Sequence, residues 1–470
     1  MKNSLKGYWS VLTVLSLATA IELLDGTALN ISLPTIATEF NAGLDSVSWI
    51  PLVYFLVISC LLLPFAKTAE IYGTGRIIAG GFLIFTAASY LCTISPGVWW
   101  LVLFRGIQAI GGAMMAAGVP AQVAIAFPQN VRGKALGIIM GAGGFALAAG
   151  PAIGGYITHY LSWHWIFYIN IPLGLIGVIL TLYLFEDQKP SGITRKFDYP
   201  GVIFLSVAMS AFLFTLTKGS ALGWNSPVIL LCILLFMIFA PLFFIWENRN
   251  ANPIINTEIF LSWKFLGAVL FLTLFEILLG GIEFTLPFYL ENITGLTPDI
   301  SGLYLLIPPL IMIIAGPAGG LISDYEGNRL VCSIAALIAL LSSIPFVYSL
   351  YTDTIHLVIA LIMFGAAIGI VASSGASRVI EHSPEKHKIT GSAISNLVFY
   401  VGMSIGTAAY TLVLQESISL QTKNFQSTII QSLPPIIFTN AMEMIYIFSA
   451  VLAVAALIIS ISVKNRDIYN

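Results

Sequence analysis

Four carboxylates interrupt stretches of this chain that are otherwise built for lipid. Glu22 and Asp25 lie three residues apart in AIELLDGTALNISLP (20–34), and Glu276 and Glu283 lie seven apart in FEILLGGIEFTLP (275–287). A charged carboxylate at mid-bilayer costs about 2.5–3.5 kcal/mol on insertion scales, so a chain that keeps four of them uses them or pairs them. Spacings of three and seven put each pair on one helix face, with Gly280 and Pro287 beside the second pair. One basic residue, Arg105 in LFRGIQAIGGAMM, falls inside such a stretch. A guanidinium keeps its proton and must be paired or face water, so it neutralises one acid. The other acids are then hydrated, protonated or ready to hold a cation. Groups of that kind take a proton from one side of a membrane and release it to the other, or exchange it for a cationic ligand. The plainer readings are a hydrated interfacial acid for Glu283, a neutral hydrogen-bonded acid for Glu22 and a structural ion pair for Arg105.

The elements that must position these groups are membrane spans. Hydrophobic residues make up 58% of the 470 and charged residues 9%, far below the quarter or so usual in soluble domains. Mean hydropathy is +0.94. Apolar runs long enough to cross a bilayer lie near 10–36, 47–66, 77–95, 98–120, 135–157, 165–185, 199–218, 227–246, 264–289, 301–322, 330–350, 355–374, 390–415 and 441–463. Fourteen spans return the chain to the side from which it started. If that side is cytoplasmic, 17 of the 20 Lys and Arg residues lie in inner loops or tails, Arg378 among the loop residues, while Lys218 and Lys423 fall outside. That asymmetry is the positive-inside pattern, and it places both termini in the cytoplasm. The net charge of −2 argues nothing about nucleic acid, and no basic run is long enough to suggest it, so no nucleic-acid partner is expected. The five histidines sit in loops or at span ends and the four cysteines are scattered in apolar runs. Neither set forms a metal site, a disulfide framework or a catalytic cluster, so no metal, no cofactor and no enzyme activity are expected.

A repeat organises the spans. Leu33-Pro34, Pro64, Tyr72 and Arg76 recur as Leu286-Pro287, Pro317, Tyr325 and Arg329, always 253 residues later. On that offset Asn30 corresponds to Glu283. The expected fold is an all-α polytopic membrane protein of 14 transmembrane helices, with two six-helix bundles in a pseudo-twofold arrangement and two inserted helices. The bundles are assigned to 1–185 and 263–470 and the insert to 186–262. The first helix of each half would line a central cavity, as in duplicated transporters. Glycine-rich stretches in spans 4 and 5 permit close helix approach, and Gly150-Pro151 adds a kink or hinge. The segment 416–443, rich in Ser, Gln and Thr, is either a cap over the outer mouth or a solvated loop.

Several motifs resemble the major facilitator superfamily, and in particular its 14-span drug:proton antiporter branch. They are LDGTALNISLP in span 1, Arg105-Gly106 with Gln108 and Gly111-Gly112 in span 4, and Gly150-Pro151 with Gly154-Gly155 in span 5. WHWIFYINIPLG (163–174) and GSAISNLVFYVGMSIG in span 13 also fit. The resemblance implies proton or cation handling at Asp25 and Arg105, with Gln108 as charge partner, and an antiporter hinge at Gly150, Pro151, Gly154 and Gly155. It also implies a gating loop at Glu70, Gly73 and Arg76, matched in the second half by Asp324 and Arg329. That loop, AKTAEIYGTGR, departs from the family pattern: Glu70 replaces the usual Asp, Ala66 a Gly, and Ile71 and Thr74 stand where basic residues are common. Glu22 is an acid beyond the pattern.

The reading that results is a proton-coupled efflux antiporter for amphipathic, cationic small molecules, working by alternating access. Its partners are protons, the substrate and the bilayer, and it acts as a monomer in the cell (inner) membrane. A dedicated exporter of one metabolite, such as a siderophore or an antibiotic, is the rival, ahead of a channel or a membrane enzyme. On this reading Asp25→Asn abolishes proton-driven transport and leaves folding intact.

Overall fold

The computed structural model describes residues 5–128, 131–185, 198–250, 253, 257–352, 354–384, 388–421 and 434–463. Fourteen helices among these residues are long and apolar enough to cross a membrane. Span 1 covers Tyr8–Glu39 and span 2 Leu44–Ala69, followed by Thr74–Thr93, Val98–Ala126, Arg132–Tyr160 and His164–Leu184 as spans 3 to 6. Spans 7 and 8 are Tyr199–Leu222 and Pro227–Arg249. Spans 9 to 12 are Trp263–Asn292, Pro298–Glu326, Asn328–Ser349 and Thr354–Glu381, and spans 13 and 14 are Thr390–Gln421 and Pro435–Ser462. We call the side on which span 1 begins the near side and the opposite one the far side.

Local chemistry sets several boundaries. Proline occupies the first turn of spans 7, 8, 10 and 14, where its missing N–H leaves no hydrogen bond unmade. Gly73 and Gly327 turn the chain between spans 2 and 3 and between spans 10 and 11 with φ of 96° and 84°, values that favour glycine. Pro34 helps break span 1, whose helix Leu5–Ala28 passes through a 3-10 turn at Asn30–Ser32 before resuming as Leu33–Glu39. The matching Pro287 sits inside an unbroken helix.

The repeat seen in the sequence recurs in the packing. Spans 3 and 4, 1 and 5, 2 and 4, and 3 and 6 pack together in the first half. The second half repeats all four pairings as 11 and 12, 9 and 13, 10 and 12, and 11 and 14. Between the halves, span 5 meets span 10 and span 2 meets span 13, which is the exchange a twofold axis requires. A glycine seam repeats as well. A Cβ on Gly150 or Gly154 would overlap Thr27 or Ala28 of span 1, and one on Gly402 or Gly406 would overlap Glu276 or Ile277 of span 9. Both pairs are spaced four apart, the small-residue spacing that lets helix backbones touch in lipid.

Spans 7 and 8 form a hairpin held by Asp198, which caps span 7 through Gly201 N at 3.0 Å and accepts from Trp246 and Asn250 at 2.8 and 2.6 Å. Span 7 lies against span 13 and span 2, one helix from each half. Lys218, expected in an outer loop, is instead within span 7 and ion-pairs with Asp45 at the far side. Arg378 also differs from expectation. Span 12 runs past the apolar run that betrayed it, so Arg378 is buried in its last turns and not in a loop. Its guanidinium donates to Ser460 Oγ at 3.0 Å, Ser460 O at 2.9 Å and Val463 O, and so caps the carbonyl end of span 14. Of the segment 416–443, residues 422–433 lie outside the described residues; Glu416 and Glu443 are helical and accept hydrogen bonds from Trp224 and Tyr351.

Candidate functional site

Span 4 carries Arg105 and Gln108 one turn apart, facing span 1. Arg105 Nη1 ion-pairs with Asp25 and donates to Gln108 Oε1 at 2.6 Å. Gln108 Nε2 reaches Asp25 Oδ1 at 3.2 Å and Ser89 Oγ of span 3 at 2.8 Å. Asn170 of span 6 donates to Asp25 Oδ1 at 2.5 Å. The guanidinium lies 4.1 Å from the centre of the Tyr54 ring of span 2, a cation–π contact. Asp25, Arg105, Gln108 and Asn170 are all fully buried. Every partner in this cluster belongs to the first half.

Glu22 behaves otherwise. It is 3% exposed. Its Oε2 accepts from Tyr400 of span 13 at 3.4 Å, and its Oε1 has no protein partner. Three residues turn a helix by about 300°, leaving roughly 60° between the side chains. That angle is enough for Glu22 to reach the second half while Asp25 turns into its own, so the two acids do not act as the single pair their spacing suggested. Tyr54 joins them, since its hydroxyl donates to Glu22 O at 3.2 Å while its ring covers Arg105. Phe55, Phe399 and Tyr400 form an aromatic group beside Glu22, with ring centres 5.2–6.5 Å apart.

In span 9, Glu276 is half-buried next to Gly402 and makes no hydrogen bond or ion pair among the described residues. Glu283 is buried and accepts from Asn30 Nδ2 at 3.4 Å. The two acids lie close enough for Glu276 to feel the charge of Glu283. Asn30 Oδ1 has no protein partner. Among the described residues no group of His, Cys, Asp and Glu could hold a metal ion.

The turns expected to gate lie far from this core, at the near side. The side chain of Glu70 lies outside the described residues. Asp324 is exposed in the last turn of span 10, and Arg329 donates to Ile461 O at the end of span 14 at 2.5 Å. Arg76 opens span 3 just after Gly73. Gly150 and Gly154 press on span 1 beside Pro151, and Gly155 meets the backbone of Pro298 in span 10. Sequence reasoning gave no role to Asn170, Ser89, Tyr54 or Tyr400. Lone polar residues within apolar runs were the available signal, and Asn170 and Tyr400 stood inside motifs noted only for resemblance.

Comparison with known proteins agrees with this architecture. The family model described as Major Facilitator Superfamily matches residues 15–407. The chain is 28% identical over 431 residues to the riboflavin transporter RibZ of Clostridioides difficile (strain 630), covering 89% of this chain and 91% of that one. It is 26% identical over 393 residues to the multidrug resistance protein Stp of Mycobacterium tuberculosis (strain CDC 1551 / Oshkosh), covering 83% and 73%. Among solved structures, a bacterial homologue of the human lysosomal transporter Spinster, in an inward-facing and unoccupied conformation, superposes with a TM-score of 0.68 at 14% identity, covering 98% of this chain and 97% of that one.

Proposed function

The chain belongs to the major facilitator superfamily and is a multi-pass membrane transporter, and from that premise we propose that it is a proton-coupled exporter of amphipathic, cationic small molecules. One observation carries the proposal. Of the four acids singled out in spans 1 and 9, Asp25 has a cation partner, whereas Glu22, Glu276 and Glu283 make no ion pair among the described residues. Three acids without an ion pair, two of them touching the opposite half, have two ways to be neutralised, a proton or a cationic ligand, and competition between the two is antiport. Glu276, half-buried and without a hydrogen bond, is the acid we assign to the ligand cation. Asp25 and Arg105 hold the first half's charge in place. The positive-inside pattern supports cytoplasmic termini; with that orientation each proton crossing 100 mV inward contributes about 2.3 kcal/mol to export. Likeness to Stp supports a drug-like substrate range. A dedicated exporter of one metabolite is the second reading, favoured by likeness to RibZ and by the aromatic group beside Glu22, which suits a planar ring system.

Reconstituted protein tests this directly. An imposed pH gradient should drive saturable flux of a fluorescent amphipathic cation, and a protonophore should abolish it. Glu276→Gln should reduce cation flux by about tenfold, equivalent to ~1.4 kcal/mol, and flux of a neutral analogue far less. Flux indifferent to the gradient would remove the coupling, and equal losses for both substrates would remove the cation contact.

A further inference from the structure

Asn30 and Glu283 are 253 residues apart, the offset of the repeat, and they touch. Two positions exchanged by a twofold axis can meet only on that axis. Their contact therefore marks the line about which the two halves are arranged. Around it the halves are joined toward the far side. Gly155 meets Pro298, Gly302 meets Pro151 and Ala152, and the Asn30–Ser32 turn packs on spans 5, 9 and 10.

The chemistry of the pair is incomplete as a carboxylate with an amide. A carboxamide offers donors and an acceptor, and an ionised carboxylate offers acceptors alone. One hydrogen bond forms, from Asn30 Nδ2, and Asn30 Oδ1 stays buried without a partner. Exchanging the amide oxygen and nitrogen would set oxygen against oxygen, so the mismatch does not depend on how the amide is oriented. A carboxylic acid removes it: its O–H donates to the amide oxygen while its carbonyl accepts from the amide nitrogen. Leaving a buried acceptor unmade costs about 1–3 kcal/mol.

We propose that Asn30 and Glu283 form a proton-operated latch on the pseudo-twofold axis, in which a proton on Glu283 completes the amide–acid pair and holds the far-side faces of the two halves together. Loss of that proton to water leaves a buried carboxylate held by one amide hydrogen bond and an unpaired amide oxygen, both of which gain hydrogen bonds when the faces part and water enters. A proton bound more tightly in the closed arrangement must favour that arrangement, so acid closes the far side and base releases it. The latch deepens the coupled-exporter reading and rests on it for its role in transport. Among the other titratable groups, Glu291 stands about two turns further along span 9 with a buried Oε1 that has no protein partner, and the Glu283→Gln variant distinguishes its titration from that of Glu283; most of the rest are engaged. Tyr400 is bonded to Glu22 and Tyr410 to Ser449, Glu39 accepts from Trp163, Asp299 lies by His159, and Arg378 caps span 14. Tyr446 on span 14 stands near Tyr289 and Tyr410. Glu276, on the same helix, is the neighbour whose charge couples to that of Glu283.

Spin labels on the far side read the latch. Leu161→Cys and Ile355→Cys place one label at an exposed position of each half, with the half-buried Cys232 replaced by Ser and the other three cysteines buried. In full-length protein held in lipid nanodiscs without substrate, the inter-label distance should be short and single at about pH 5.5 and gain a longer population at about pH 8.5. Glu283→Gln, whose amide supplies the same donor and acceptor as the neutral acid, should keep the short distance at both. Asn30→Ala should lose the pH response. An unresponsive wild type, a Glu283→Gln protein that opens like wild type, or an Asn30→Ala protein that keeps the full response would each overturn the latch, and the alanine variant decides the matter alone if the glutamine variant does not fold. Gradient-driven flux of the wild type, measured in parallel, separates the two ideas. Absent flux with an intact distance change sinks the coupled exporter and spares the latch. Intact flux with a responsive Glu283→Gln protein does the reverse.

Discussion

Spans 1 and 9 hold equivalent places in the two halves and lie along equivalent glycine seams, yet their acids have opposite surroundings. Asp25 is enclosed by Arg105, Gln108 and Asn170 within its own half. Glu276 has no hydrogen-bond partner among the described residues, and Glu283 has a single amide from across the axis. The duplicated backbone thus fixes where an acid can stand, while residues on neighbouring helices decide whether its charge is anchored or left to exchange. The first half supplies a fixed charge pair beside one acid, Glu22, that reaches across the join, and the second half supplies groups that can change protonation or partner.

Removing the anchored charge should have the largest effect on the fold. Asp25→Asn leaves Arg105 buried without an anion, and breaking a buried pair from one side costs about 3–5 kcal/mol. The sequence alone suggested that this variant folds normally; the enclosure of Arg105 argues for a clear drop in the thermal midpoint of purified protein. Adding Arg105→Met should restore part of the loss, because the isolated cation is then gone. Glu276→Gln, by contrast, should unfold close to the wild-type midpoint. If Asp25→Asn and Glu276→Gln were equally stable, the contrast between the halves would fail.

Next in size is the seam that the halves share. Gly154→Val drives a side chain into the backbone of Ala28, and Gly406→Val drives one into Ile277. Overpacking of this kind costs about 1–3 kcal/mol or more where backbone cannot yield. Similar losses in the two variants would fit a repeated seam; a large loss in one and none in the other would show that the repeat is not kept energetically.

The number of spans, the duplication and the identity of the acids were legible because each leaves a linear trace. Apolar runs mark spans, and Leu33-Pro34 and Leu286-Pro287 mark the repeat in plain register. The ends of helices were less visible. Span 12 continues past its apolar run because Arg378 is satisfied by the carbonyls of span 14, a partner 82 residues away that no local pattern announces. The partition of Glu22 from Asp25 was equally hidden. It depends on a helix angle and on Tyr400, 378 residues from Glu22. Asn30 was legible only as the repeat mate of Glu283, and their contact gives that correspondence a chemical meaning.

The smallest expected effect tests the one acid of the first half that reaches across the join. Tyr400→Phe removes the hydroxyl that bonds Glu22 and keeps the ring among Phe55 and Phe399. A single hydrogen bond of this kind contributes about 0.5–1.5 kcal/mol, so the apparent affinity for a cationic dye should shift by roughly fivefold, or ~1 kcal/mol, with little change in thermal midpoint. Tyr54→Phe is the matched control. It removes a bond to the backbone carbonyl of Glu22, not to its carboxylate, and leaves the ring over Arg105. Its effect should fall on stability and spare dye affinity. Should Tyr54→Phe alter affinity while Tyr400→Phe does not, Glu22 would belong with Asp25 as part of the first half's fixed charge system, and the division between anchored and exchangeable acids would run between the halves and no longer within span 1.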